Sequence, residues 1–213
     1  MSRFRVPFNV LLAPCLLAAA TAASAHTGMG AHLHTGDGAM QALMAGLSHP
    51  IAGLDHLLAM VTLGLWCGLM LRRQWLPPVA FAACMALGLA LTQTSLELPA
   101  VEPMVAASLL AFGLLLIAQR RLPVALAMVL AGAFALFHGY AHGEVFPHAT
   151  PPAVFWAYMA GMVTTTLVLH GLGVVLGHGM RRGTQGRPEG AASWAARLAG
   201  VVAMGYGAVA LAG

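Results

Sequence analysis

Six apolar runs of similar length dominate the sequence, at roughly residues 51–71, 76–96, 100–119, 123–142, 152–176 and 193–212. A helix needs about 20 apolar residues to cross the hydrocarbon layer of a bilayer, and each run is near that length. A water-facing coat for such runs is missing. Hydrophobic residues make up 60% of the 213-residue chain and charged residues 8%, where soluble domains carry about 25% charged. The composition therefore argues against a soluble enzyme, a nucleic-acid binder and a disordered chain. The predicted fold class is all-α, a polytopic membrane protein with six transmembrane helices in one bundle. Its first partner is the lipid bilayer, and nucleic acid is not expected among its partners.

The breaks between runs give an orientation. All ten basic residues are arginine, and the formal net charge is +4. Arg72-Arg73, Arg120-Arg121 and Arg181-Arg182 with Arg187 fall in alternate breaks. By the positive-inside rule, the loops after the first, third and fifth spans face the cytoplasm. Met1–Ala25 agrees with this independently. It carries Arg3 and Arg5, a short apolar run from Val10 to Ala20, and a small-x-small end at Ala23-Ser24-Ala25, the pattern of a cleaved signal peptide. The expected organisation is a signal over 1–25, a periplasmic histidine-containing segment over 26–48 and the six-helix domain over 49–213. The expected location is the bacterial inner membrane, with both ends of the mature chain periplasmic. Cleavage would leave His26 at the new N-terminus, its amine beside its imidazole. His32 and His34 follow among glycines, and the segment reads equally as a polar tail or a metal-collecting arm.

Several features call for packing alone. Cys15, Cys67 and Cys84 each lie in an apolar stretch, so no disulfide framework is indicated. Gly161, Gly171, Gly173 and Gly177 permit close helix approach. Trp66, Trp75, Trp156 and Trp194 lie mostly near span ends, as an interfacial aromatic belt does. The methionines read as packing, with Met60 a possible exception one turn after His56.

Ionisable groups at membrane depth are expensive and mark function by default. One cluster is His49-Pro-Ile-Ala-Gly-Leu-Asp55-His56. On a continuous helix, residues seven apart face within about 20° of each other, which would align His49 with His56. Pro50 challenges that continuity and leaves His49 open to a loop placement. Asp55 points about 100° away, either to ligate from the side or to hold an imidazole as an acceptor. The second cluster is Phe137-His138-Gly139-Tyr140-Ala141-His142-Gly143-Glu144, whose histidines share one helical face. Given the orientation, these clusters and Glu102 share a layer just below the outer surface. Imidazole with carboxylate suits Ni²⁺, Co²⁺, Zn²⁺ or Cu²⁺. His170 and His178 lie progressively inward and offer inner stations, or else serve as helix-bonded and interfacial histidines.

The segments His49-x5-Asp55-His56 and Phe137-His138-Gly139-Tyr140-Ala141-His142-Gly143 resemble the two signature motifs of the HupE/UreJ family of hydrogenase- and urease-associated nickel permeases. The resemblance extends to the signal, the six spans and the Val-Glu-Pro start of the third run. It implies uptake of Ni²⁺ or Co²⁺ as substrate by a secondary permease that is not an enzyme and has no prosthetic group. Urease or hydrogenase maturation proteins are the implied partners. By position it points to His49, Asp55, His56, Glu102, His138 and His142 as metal-handling residues. The family pattern has a glutamate three residues after the second motif histidine. Here Val145 stands there and Glu144 one place early, which makes Glu144, with His26, a further candidate ligand. Two rival classes share parts of this pattern. A membrane-embedded zinc hydrolase would use three histidines and an aspartate around an activated water, but H-E-x-x-H is absent. A bis-histidine haem carrier needs ligands on facing helices, whereas His138 and His142 share one.

Overall fold

The computed structural model describes residues 38–144, 146, 150–183 and 191–212. The expected signal peptide, His26, His32, His34 and Val145 lie outside the described residues. Seven helices are described: α1 (Ala39–Ala52), α2 (Leu54–Met70), α3 (Leu76–Leu91), α4 (Val101–Ala118), α5 (Val124–Gly143), α6 (Pro152–Gly183) and α7 (Ala191–Ala212).

The first apolar run is not one straight helix. Pro50 lies inside α1 and supplies no N–H to the helical ladder. The last α1 bond runs from the Gly53 N–H to the His49 carbonyl at 3.2 Å, and Gly53 itself is extended. The chain turns by 74° there, and α2 opens with the Leu57 N–H on the Gly53 carbonyl at 2.9 Å. The helix also reaches back to Ala39, into the segment that composition assigns to the N-terminal tail. The second run is shorter than its apolar pattern. α3 ends at Leu91 and spans 16 residues, or about 24 Å, because Thr92 and Thr94 turn their hydroxyls onto the Leu89 and Leu91 carbonyls and start a turn.

α4, α5, α6 and α7 are each long and apolar enough to cross a membrane, and the bent α1–α2 pair qualifies as a fifth crossing. Leu126, Val129, Val168, Val175, Leu198 and Val201 point outward and are exposed. The bundle is thus apolar outside as well as inside, the arrangement lipid requires. This is an all-helical membrane protein.

Glycine contacts fix the helix directions. A Cβ on Gly64 would strike the His170 carbonyl, and one on Gly68 the Val174 carbonyl. Reciprocally, Gly173 and Gly177 face the backbones of Gly64 and Gly68. Two small-x3-small stretches, Gly64–Gly68 and Gly173–Gly177, therefore interlock with α2 parallel to α6. α3 runs parallel to α5, with Gly88 against Leu136 and Thr92 against Gly143. α4 runs antiparallel to α7, with Gly113 against Gly200 and Ala106 against Gly207.

The arginine pairs collect at one end. The Trp66 indole N–H donates to the Arg120 carbonyl at 3.0 Å, and Arg181 donates to the Leu71 carbonyl at 3.1 Å. Trp66 is accordingly buried, not interfacial, whereas Trp75, Trp156 and Trp194 are exposed as a belt requires. Met60 and Cys67 are buried in the main core. Gly171 departs from the small-residue expectation, since its nearest neighbour is the Trp75 ring.

Candidate metal site

At the end opposite the arginines, three helices bring four imidazoles together. His49 comes from the end of α1, His56 from the first turns of α2, and His138 and His142 from the last two turns of α5. The His49 ring centroid is 5.9 Å from His56 and 4.6 Å from His142. His56 is 5.3 Å from His138 and 4.3 Å from His142. Spacing alone does not explain this. His49 meets His56 across the bend at Gly53, while His138 and His142 are neighbours because they are one turn apart on α5. Asp55, His56, His138 and His142 are buried.

Hydrogen bonds set the ring orientations. The His56 Nδ1–H donates to the Asp55 carboxylate at 2.8 Å. Asp55 thus takes the acceptor role, and the Nε2 of His56 is buried without a hydrogen-bond partner. Ser108 on α4 settles the tautomer of His138. Its hydroxyl is 2.6 Å from the Val105 carbonyl, which only accepts, so the hydroxyl donates there. The Ser108 oxygen, 2.9 Å from His138 Nε2, then accepts that ring's N–H. Nδ1 of His138 is left with its lone pair and no hydrogen-bond partner, in a residue with no exposed surface. Leaving a buried polar atom unpaired costs about 1–3 kcal/mol. Bare imidazole lone pairs on neutral rings are what a transition-metal ion takes up.

Helix ends add to the local field. His142 lies in the last turn of α5, where the carbonyl end favours a cation. Asp55 lies in the first turn of α2 and opposes the positive end of that helix. As the side chains stand, no group of three or more His, Cys, Asp or Glu residues among those described is placed to hold a metal ion. The rings meet mostly edge to face, the packing of aromatic neighbours. Turning them about χ1 and χ2 is what would direct their nitrogens to one centre.

Other expected residues fall elsewhere. Glu102 is exposed in the first turn of α4. Glu144 caps α5 and is exposed. Two residues beyond His142, it lines a cavity of about 700 Å³ with Glu97, Tyr140 and Gly143. Sequence reading missed Ser108 and Phe81. Ser108 looks like any small residue of an apolar run, and its role depends on a contact 30 positions away. Phe81 is fully buried with its ring 5.5 Å from His138 and 4.9 Å from His170. An isolated phenylalanine in an apolar run gives no signal of that.

The family profile described as "HupE / UreJ protein" matches residues 14–210. The chain belongs to the HupE/UreJ family. It is similar to the protein HupE of Rhizobium leguminosarum bv. viciae, at 38% identity over 184 residues covering 86% of this chain and 87% of that protein. No solved structure matches the chain. HupE/UreJ membership gives no support to the zinc-hydrolase alternative.

Proposed function

We propose that this protein admits Ni²⁺, or Co²⁺, through the bacterial inner membrane as a secondary permease that supplies urease or hydrogenase. The reading is carried by one observation: His49, His56, His138 and His142 from three helices stand ring against ring, with Nε2 of His56 and Nδ1 of His138 bare. Imidazole is a good ligand for these ions. Membership of a family linked to hydrogenase and urease metal supply favours them as cargo.

In this mechanism the ion sheds part of its water shell as His49, His56, His138 and His142 rotate onto it. Asp55 keeps His56 in the tautomer that presents Nε2, and Ser108 keeps His138 in the one that presents Nδ1. The Asp55 carboxylate offsets the incoming charge. Binding stays moderate, because conduction needs a site the ion can leave. The membrane potential contributes about 2.3 kcal/mol per charge per 100 mV, and a divalent ion carries two charges. Helix directions support six crossings: α2 with α6 and α3 with α5 are parallel pairs, and α4 with α7 is antiparallel, as strict alternation demands. With the arginine end cytoplasmic, the histidine cluster faces the periplasm and both ends of the mature chain are periplasmic.

The test is ⁶³Ni²⁺ accumulation by cells that express the protein. His56→Ala and His142→Ala are each expected to lower uptake at least tenfold, with membrane abundance unchanged. Unchanged uptake in both variants would defeat the proposed site.

A further inference from the structure

Beyond the ring cluster, one more imidazole is sealed in the bundle. His170 on α6 has no exposed surface. Its Nδ1–H donates to the Thr166 carbonyl at 2.8 Å, which fixes the tautomer and leaves Nε2 as the lone-pair nitrogen. That Nε2 is buried with no hydrogen-bond partner. Its carbonyl lies against Gly64, two turns further along α2 than His56, so His170 lies deeper than the cluster. His178, further along α6, is different: its Nδ1 accepts an N–H from Arg181 at 2.8 Å. A guanidinium held against that nitrogen disfavours a metal cation there. Of the two inner histidines, only His170 presents a bare nitrogen.

The route between the two sites is short and marked. The Phe81 ring stands 5.5 Å from His138 and 4.9 Å from His170, so the imidazoles are within about 10 Å of each other with one aromatic ring touching both. One turn along α3, the Met85 thioether accepts the Thr166 hydroxyl at 3.5 Å, which ties α3 to the same turn of α6 that orients His170.

We infer that His170 Nε2 is a second, inner binding station for the divalent ion, separated from the outer imidazole cluster by the Phe81 ring. It binds through one protein nitrogen and therefore weakly. A second site close to the first lets an ion leave the cluster inward, since conduction needs binding that is multi-site and weak enough to leave. This inference rests on the permease reading above.

His170→Asn isolates the claim. Asparagine retains an N–H at the δ position for the Thr166 carbonyl and has no nitrogen at ε. The expected result is a loss of ⁶³Ni²⁺ uptake of about tenfold, with the affinity of protein in nanodiscs for its first Ni²⁺ changed less than twofold and the same melting temperature. A purely structural histidine predicts full uptake in this variant, and that result overturns the inference, as does parallel loss of first-ion affinity. If His170→Asn does not fold, ¹⁵N-histidine-labelled wild-type protein titrated with Co²⁺ decides the matter. A further paramagnetic shift of the His170 Nε2 resonance beyond the first equivalent supports the station, and no further shift beyond that equivalent overturns it. Full uptake by His170→Asn beside loss in His56→Ala removes this inference alone. No uptake by the wild type removes the permease reading itself.

Discussion

The two ends of this bundle are built on opposite principles. At the arginine end, several polar groups are matched, although the Arg197 Nε is buried without a hydrogen-bond partner: the Trp66 N–H meets the Arg120 carbonyl, Arg181 meets both the Leu71 carbonyl and His178, and α2 and α6 lock backbone to backbone. At the histidine end, buried nitrogens of His56 and His138 have no hydrogen-bond partner, although other bonds set the tautomers of their rings. A chain selected for stability alone would fill or pair those nitrogens. The contrast teaches that tight backbone packing is common to both ends, while unpaired ring nitrogens gather at one of them.

Variants can break this contrast with two readouts, melting temperature and ⁶³Ni²⁺ uptake. The largest effect is expected from Gly64→Leu or Gly173→Leu. Either side chain would collide with backbone on the facing helix, where small overpacking already costs about 1–3 kcal/mol. Both readouts should collapse, and a Gly64→Leu protein with wild-type melting would refute the interlock. Ser108→Ala should separate the readouts. It frees His138 to change tautomer while removing little volume, so uptake should fall about tenfold with melting shifted only slightly. Ser108→Thr, which retains the hydroxyl, should recover part of the uptake.

Trp66→Phe should do the reverse. Losing the N–H to Arg120 should cost about 1 kcal/mol and leave uptake per folded molecule intact. A drop in uptake per folded molecule would show that the arginine end also handles the ion. The smallest effect is expected from Ala100→Gly. Ala100 opens α4 at φ 57°, a left-handed conformation. Relief there should raise stability by about 0.5 kcal/mol, seen as a small rise in melting temperature with uptake unchanged.

Much of this was legible in the sequence, for physical reasons. Lipid imposes length and apolarity on a crossing helix, so α4 to α7 follow the apolar runs closely. Arginine pairs mark one end because they resist transfer into hydrocarbon, and the structure does gather them there. His138 and His142 meet because four residues make a helical turn. The meeting of His49 with His56 was expected from helical phase, yet it comes from the bend at Gly53, which Pro50 foreshadowed without locating. The end of α3 at Leu91 was hidden, because Thr92 and Thr94 interrupt an otherwise apolar run only by turning hydroxyls onto their own backbone. Glu102 enters the polar layer by depth and by the family resemblance, and it is exposed in the first turn of α4. Ser108 and Phe81 were illegible, since their neighbours come from distant turns.

The long helix α6 has a mechanical consequence. It is one unbroken rod of 32 residues that touches both limbs of the bent pair, at Gly46 with Gly161 and at Gly64 with Gly173. The Thr165 hydroxyl also donates to the Leu47 carbonyl at 2.7 Å. It therefore acts as a splint across the hinge at Gly53. Rocking one limb against the other would have to tear contacts at backbone distance, which sets it apart from permeases that alternate by swinging rigid halves. The mechanism proposed above relies instead on imidazole and phenyl side chains, whose torsions turn over far faster than whole domains swing. The proposed mechanism is in this sense closer to a stepping-stone crossing than to a revolving door.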